Sequence, residues 1–211
     1  MKTGTLIRAL AADTALGRRP ETLLLTGLLV SVGVMLLSLW LTLGFRADLA
    51  GAIGDPLSAF RFVLAGSLAL ISLRLIRDLT RPERAGRVRL WPLAVVLAAA
   101  LAVMAWAALT TPPEAFRMAL FGKTAVICLI AIPLLSLVPV AVIMAALRRG
   151  ATTAPALAGG VAGLCGGGLA AMVYALYCTE KSPLFYVTWY GLGIIGVTLA
   201  SALIGARLLR W

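Results

Sequence analysis

Six apolar stretches, each long enough to cross a bilayer and none with an ionisable residue near its centre, dominate the chain. They are Leu23–Leu43, Leu57–Ile76, Leu90–Leu109, Thr124–Leu147, Pro155–Tyr177 and Leu184–Ala206. A helix needs about 20 apolar residues to cross the hydrocarbon core. Arg61 and Arg74 fall inside the second stretch, but near its ends, where an arginine is expected to snorkel outward to the interface. The connecting loops are short. The expected fold is therefore all-α: a polytopic membrane protein with six transmembrane helices in a compact bundle over residues 22–211, preceded by an N-terminal tail over residues 1–21.

Composition agrees. Of the 211 residues, 62% are hydrophobic and 13% are charged, about half the charged share of a soluble domain, which excludes a soluble enzyme or DNA-binding domain. The net charge of +11 would suggest nucleic acid in a soluble chain. In a membrane chain it reports topology, because basic residues gather in cytoplasmic loops. One side collects the N-terminus, the second and fourth loops and the C-terminus, with fourteen Lys and Arg; the other holds five, Arg46, Arg61, Arg117, Lys123 and Lys181. Both termini are thus expected in the cytoplasm, and direct contact with nucleic acid is not. Trp40, Trp106 and Trp189 fall at outer stretch ends, Trp91 and Trp211 at inner ends, and Tyr174, Tyr177, Tyr186 and Tyr190 cluster on the outer side; this is the pattern of interfacial aromatic belts. The first stretch exceeds the 7–15 residues of a signal-peptide core and is followed by five more. Arg18-Arg19 reads as its flanking charge.

Several chemistries are missing. The chain has no His, Asn or Gln. Lack of His removes Ser-His-Asp and Cys-His nucleophile systems, and with them HExxH zinc sites and His-ligated haem. No catalytic residue, cofactor or metal site is expected, and the chain is read as a non-enzyme. Gly191-Leu192-Gly193-Ile194-Ile195-Gly196 matches GxGxxG but lies within an apolar stretch, without the strand and βαβ unit that a dinucleotide site requires. Gly159, Gly163 and Gly167 recur every four residues, as do Ser201 and Gly205. Such stripes let helices approach closely in lipid, so the last two helices should pack tightly, although the same stripe could join two copies in a homodimer. Pro133 and Pro139 should kink the fourth helix. Six spans with a Gly-rich helix also leave open a small transporter or channel, although no carboxylate sits at membrane depth.

Two features remain as candidate sites. Cys128 lies about 7–8 Å below the outer surface, counted from Lys123, and Cys178 sits where the fifth helix leaves on that side. Cys165 lies about 20 Å deeper. The outer pair suits a structural disulfide, a redox switch, a soft-metal site or two inert buried thiols, and Tyr177 and Glu180 flank Cys178. In the tail, Leu6, Ile7, Leu10, Asp13 and Leu16 follow helical spacing. A helix this short is marginal alone, so it would order on a partner or on the lipid surface, or else remain a passive segment beside the membrane.

With these residues in view, the chain resembles the NrsF family of bacterial membrane-bound anti-sigma factors. The likeness rests on Leu6-Ile7-Arg8-Ala9-Leu10-Ala11-Ala12-Asp13 and on Phe121-Gly122 with Cys128 downstream. It continues through Arg148-Arg149-Gly150, Pro155, Ala158-Gly159, Ala162-Gly163, Tyr177-Cys178, Ser182-Pro183, Trp189 and Leu208-Leu209-Arg210-Trp211. The resemblance implies a regulator in the bacterial inner membrane. Its cytoplasmic tail would sequester an extracytoplasmic-function sigma factor and release it on a periplasmic stress signal, thiol redox or metal. Carried over by position, Leu6, Ile7, Leu10 and Asp13 belong to the sigma-binding tail, and Cys128 and Cys178 are the sensing pair. Where that family often has His, this chain has Tyr177 and Tyr190, so imidazole ligation is absent and thiol chemistry is favoured over metal. Where the family's tail is commonly acidic, this one has Gly4-Thr5 and a net positive charge, so apolar residues would have to carry the association.

Overall fold

The computed structural model describes residues 20–80, 89–149 and 152–210. The tail residues Leu6, Ile7, Leu10 and Asp13 lie outside the described residues, as do Arg81, Arg84, Arg87 and Trp211. Eight helices are described: α1 (Pro20–Thr42), α2 (Leu49–Gly54), α3 (Pro56–Leu79), α4 (Trp91–Thr110), α5 (Pro113–Phe121), α6 (Ala125–Leu147), α7 (Pro155–Tyr174) and α8 (Pro183–Leu208). Six of them are long and apolar enough to cross a membrane. These six run from 20 to 26 residues, about 30–39 Å at 1.5 Å per residue. They match the six expected stretches. The short α2 and the nine-residue α5 stand where plain loops were expected.

Local signals explain the helix starts. Proline occupies the first turn of α3, α4, α5, α7 and α8, where its missing N–H costs nothing and its φ suits a helix. Asp55 caps α3, accepting from Ser58 N at 3.2 Å and from the Ser58 hydroxyl at 2.7 Å. That hydroxyl bond is the main reason the Asp55 carboxyl is held below its ordinary pKa. Two glycines turn the chain with positive φ, Gly44 and Gly122. Gly44 N donates to Leu39 O beyond the end of α1, a left-handed stop that disfavours other residues. α6 stays helical through Pro133 and Pro139.

α7 is the central element. It packs against α8, α3 and α6 and is buried along most of its length. A Cβ on Gly159 would overlap the Ser201 carbonyl, and one on Gly163 would meet Thr198 Cα at 2.7 Å, both on α8. Gly166 faces Val140 of α6 in the same way, and Gly168 faces Ala65 and Ala69 of α3. The expected close packing of the last two helices is present. The face carrying Gly159, Gly163 and Gly167 is thereby covered by α8 within the chain.

Two apolar clusters fill the bundle, one at each end. Cys128, Ile132, Tyr174, Cys178, Phe185 and Tyr190 belong to the first. Leu24, Leu79, Leu147, Ala158 and Leu209 belong to the second, so the described chain starts and finishes at the same end, opposite the Cys178 loop. Large apolar side chains such as Leu29, Leu41, Leu70, Val126 and Leu203 cover the outside, far more apolar surface than a water-soluble monomer exposes. Trp40, Trp91 and Trp106 are exposed at helix ends, as an aromatic belt requires. The tyrosines differ from expectation: Tyr174, Tyr186 and Tyr190 are buried, because they fill the Cys178 end of the core instead of facing the interface.

Candidate functional site

The Cys178 end is held by a set of contacts between loops. α7 finishes with a tightened turn, in which Leu176 N bonds Val173 O and Tyr177 N bonds Tyr174 O, and Cys178 N bonds Tyr174 O. A helix C-terminus leaves carbonyls without intrahelical partners and a partial negative charge. The turn engages the Val173 and Tyr174 carbonyls with the loop's own N–H groups, and two arginines take the loop carbonyls that follow. Arg46 donates from its backbone N to Leu176 O at 3.1 Å and from Nη1 to Cys178 O at 3.0 Å. Arg61 donates from Nη1 to the same Cys178 O at 3.1 Å and to Glu180 O at 2.8 Å. Two guanidinium groups therefore converge on one backbone carbonyl beside a cysteine.

Arg61 is 1% exposed. The outward snorkelling expected for it does not occur, because the Cys178 and Glu180 carbonyls in the loop after α7 offer its head a closer set of acceptors. One sequence signal marked this outcome: Ser58, Arg61, Ala65, Ala69 and Ser72 share the buried, small-residue face of α3. The roles of Arg46 and Glu180 carried no such signal. Glu180 accepts from Lys123 N at 2.8 Å. Its carboxylate lies so close to Gly122 that a Cβ there would stand 2.7 Å from Glu180 Cδ. Trp189 Nε1 donates to Leu120 O at 2.8 Å and its ring meets Phe121 at 5.9 Å, tying α5 to α8.

The two sequence-nominated cysteines are brought into one buried cluster. Both are free thiols and fully buried. Thr124 links them: its carbonyl accepts the Cys128 N–H at 2.9 Å, and its hydroxyl lies 3.8 Å from Cys178 Sγ. Tyr174 and Tyr190 pack edge to face beside them, ring centroids 5.6 Å apart. Cys165 belongs to the other cluster, where its thiol donates to Ala69 O at 3.5 Å. Among the described residues no three His, Cys, Asp or Glu side chains assemble as a metal site. The arrangement holds two free thiols in one cluster beneath loops pinned by arginine.

The comparisons with known proteins bear on this cluster. The family described as "Negative regulator of sigma F" matches residues 10–211. The chain belongs to the NrsF family. Leu10 and Asp13 fall inside the matched span, while Leu6 and Ile7 precede it. Among curated relatives, the "Anti-sigma-F factor NrsF" of Caulobacter vibrioides is 37% identical over 217 aligned positions, covering 100% of both chains. The "Probable anti-sigma-F factor NrsF" of Azospira oryzae is 34% identical over 218, again covering 100% of both. No solved structure matches the chain. Membership makes the chain an anti-sigma factor, a regulatory protein with a sigma factor as its partner. Phe121, Gly122, Cys128, Tyr177, Cys178 and Trp189, all part of the NrsF resemblance, gather at the one end just described.

Proposed function

We propose that this NrsF-family chain is embedded in the bacterial inner membrane and holds an extracytoplasmic-function sigma factor through its N-terminal tail. Residues 1–21 are the binding segment, with Leu6, Ile7, Leu10 and Asp13 making the contact, and residues 22–211 are the membrane domain. A periplasmic stress signal acts at Cys128 and Cys178. The observation that carries the reading is spatial. α1, which follows the tail in sequence, starts at one end of the bundle, and the two thiols lie in a sealed cluster at the other. The basic residues favour the tail end as cytoplasmic by fourteen to five, which would put the thiols on the oxidising side. Oxidation there would join the two sulfurs, with two electrons and two protons passing to the oxidant, and would act on the loops around Cys178. A bundle filled around α7 by small and apolar side chains suits a switch better than a conduit.

Co-purification tests the tail. The intact chain should retain its sigma factor, and a chain lacking residues 2–16 should not. Leu10→Ala alone should weaken binding about tenfold, equivalent to about 1.4 kcal/mol. Retention by the shortened chain would refute the tail as the binding segment.

A further inference from the structure

An apolar groove of about 540 Å³ lies between α3, α4 and α8, within the roughly 300–1,000 Å³ of ligand pockets. Leu64, Leu68, Leu97, Leu101 and Ile195 are among its walls. Along α4 it extends from Leu93 to Met104, about 16 Å at the helical rise. Toward the Cys178 end its lining becomes polar, with Arg61 and Tyr186.

Those two residues carry donors without acceptors. Arg61 uses only Nη1 on the Cys178 and Glu180 carbonyls; its Nε and Nη2 are buried with no hydrogen-bond partner among the described residues, and so is the Tyr186 hydroxyl. Arg61 makes no ion pair with a described carboxylate. The Phe62 ring, 5.3 Å from the guanidinium carbon, offsets some of its charge but accepts none of these bonds. Buried donors are normally paired, and a buried guanidinium left uncompensated is costly. Three donors and one positive charge at the end of an aliphatic groove specify what is missing: oxygen acceptors with negative charge, attached to a hydrocarbon chain.

We propose that this groove is a binding site for an anionic phospholipid, with the phosphate on Arg61 and Tyr186 and one acyl chain lying between α3, α4 and α8. The inference rests on the reading that the six helices span a membrane. α4 is the wall that gives way, since Ala107 is its only buried residue; its displacement lets the headgroup reach nitrogens that side chains now cover. The lipid would then bear on the arginine that holds the Cys178 loop, coupling the site to the proposed sensor.

The test is lipid binding by the full-length chain, purified in detergent and stripped of lipid, followed by native mass spectrometry. Phosphatidylglycerol should bind at least about tenfold more tightly than phosphatidylcholine of the same acyl chains, the scale of a charge-assisted hydrogen bond. Arg61→Gln should erase the preference. Because that change also loosens the Cys178 loop, Ala100→Phe serves as a second variant: it fills the groove from α4, leaves Arg61 in place and should abolish tight binding. Equal binding of the two lipids, or phosphatidylglycerol binding unaffected by Ala100→Phe, would overturn the proposal. Binding of sn-glycerol 3-phosphate as tight as that of the whole lipid would overturn the commitment to a lipid. Recovery of the chain in solution without detergent would instead refute the membrane reading itself.

Discussion

Arg61 stands in the second turn of α3, where its stem reaches either the outside of the bundle or the loops inside. The inward position wins because Cys178 O and Glu180 O, beyond the end of α7, lack helical partners and lie within 3.1 Å of Nη1. Arg46 adds a second donor to Cys178 O, so the loop beside the thiol is fixed by side chains from two other parts of the chain. Removing the Arg61 head leaves Glu180 O without this donor and weakens the hold on Cys178 O. Arg61→Gln should lower unfolding free energy by about 2–3 kcal/mol, measured by unfolding in micelles against the intact chain. Unchanged stability would mean that the arginine does not anchor the loop. The direction of Arg61 was legible only in part. Its place on the face of Ser58, Ala65, Ala69 and Ser72 marks it as buried, but the acceptors belong to a loop more than a hundred residues away, which no local pattern reports.

Among the elements, α7 decides how closely the bundle packs. Its glycines serve three neighbours: Gly159 and Gly163 admit α8, Gly166 admits α6 and Gly168 admits α3. Spacing of four residues made the stripe legible in the sequence, since small residues at that interval bring helix backbones together in lipid. The partner was not fixed by that spacing, because a neighbouring helix and a second copy offer the same small surface. Gly163→Ala should destabilise the bundle by about 1–3 kcal/mol, as its Cβ meets Thr198 backbone that cannot yield. Gly196→Ala, on a face of α8 with nothing nearby, should be neutral or stabilise by up to about 1 kcal/mol through helix propensity. Thermal unfolding of the two variants side by side separates the cases, and equal effects would argue against the close approach of α7 and α8. The short α2 and α5 escaped sequence reading because neither is long enough for hydropathy to register against the spans beside it.

At the scale of the molecule, the six long apolar helices and the all-α class followed from hydropathy, since a helix able to cross lipid needs a long apolar run. The meeting of Cys128 and Cys178 in one cluster followed from counting residues along helices. The sealing of that cluster did not, because it depends on loops drawn together by Arg46, Arg61, Glu180 and Trp189. The resulting division places thiols at one end and the start of α1 at the other, with α6 and α7 contributing to both clusters. On the proposed function, that separation means a change at the thiols has to be transmitted along helices. The most direct test is sigma-factor release from membranes carrying the full-length chain, before and after a thiol oxidant. The account predicts release from the intact chain and retention by a Cys128→Ser, Cys178→Ser double variant that still binds the sigma factor under reducing conditions. Equal release from both, or none from the intact chain, would contradict it.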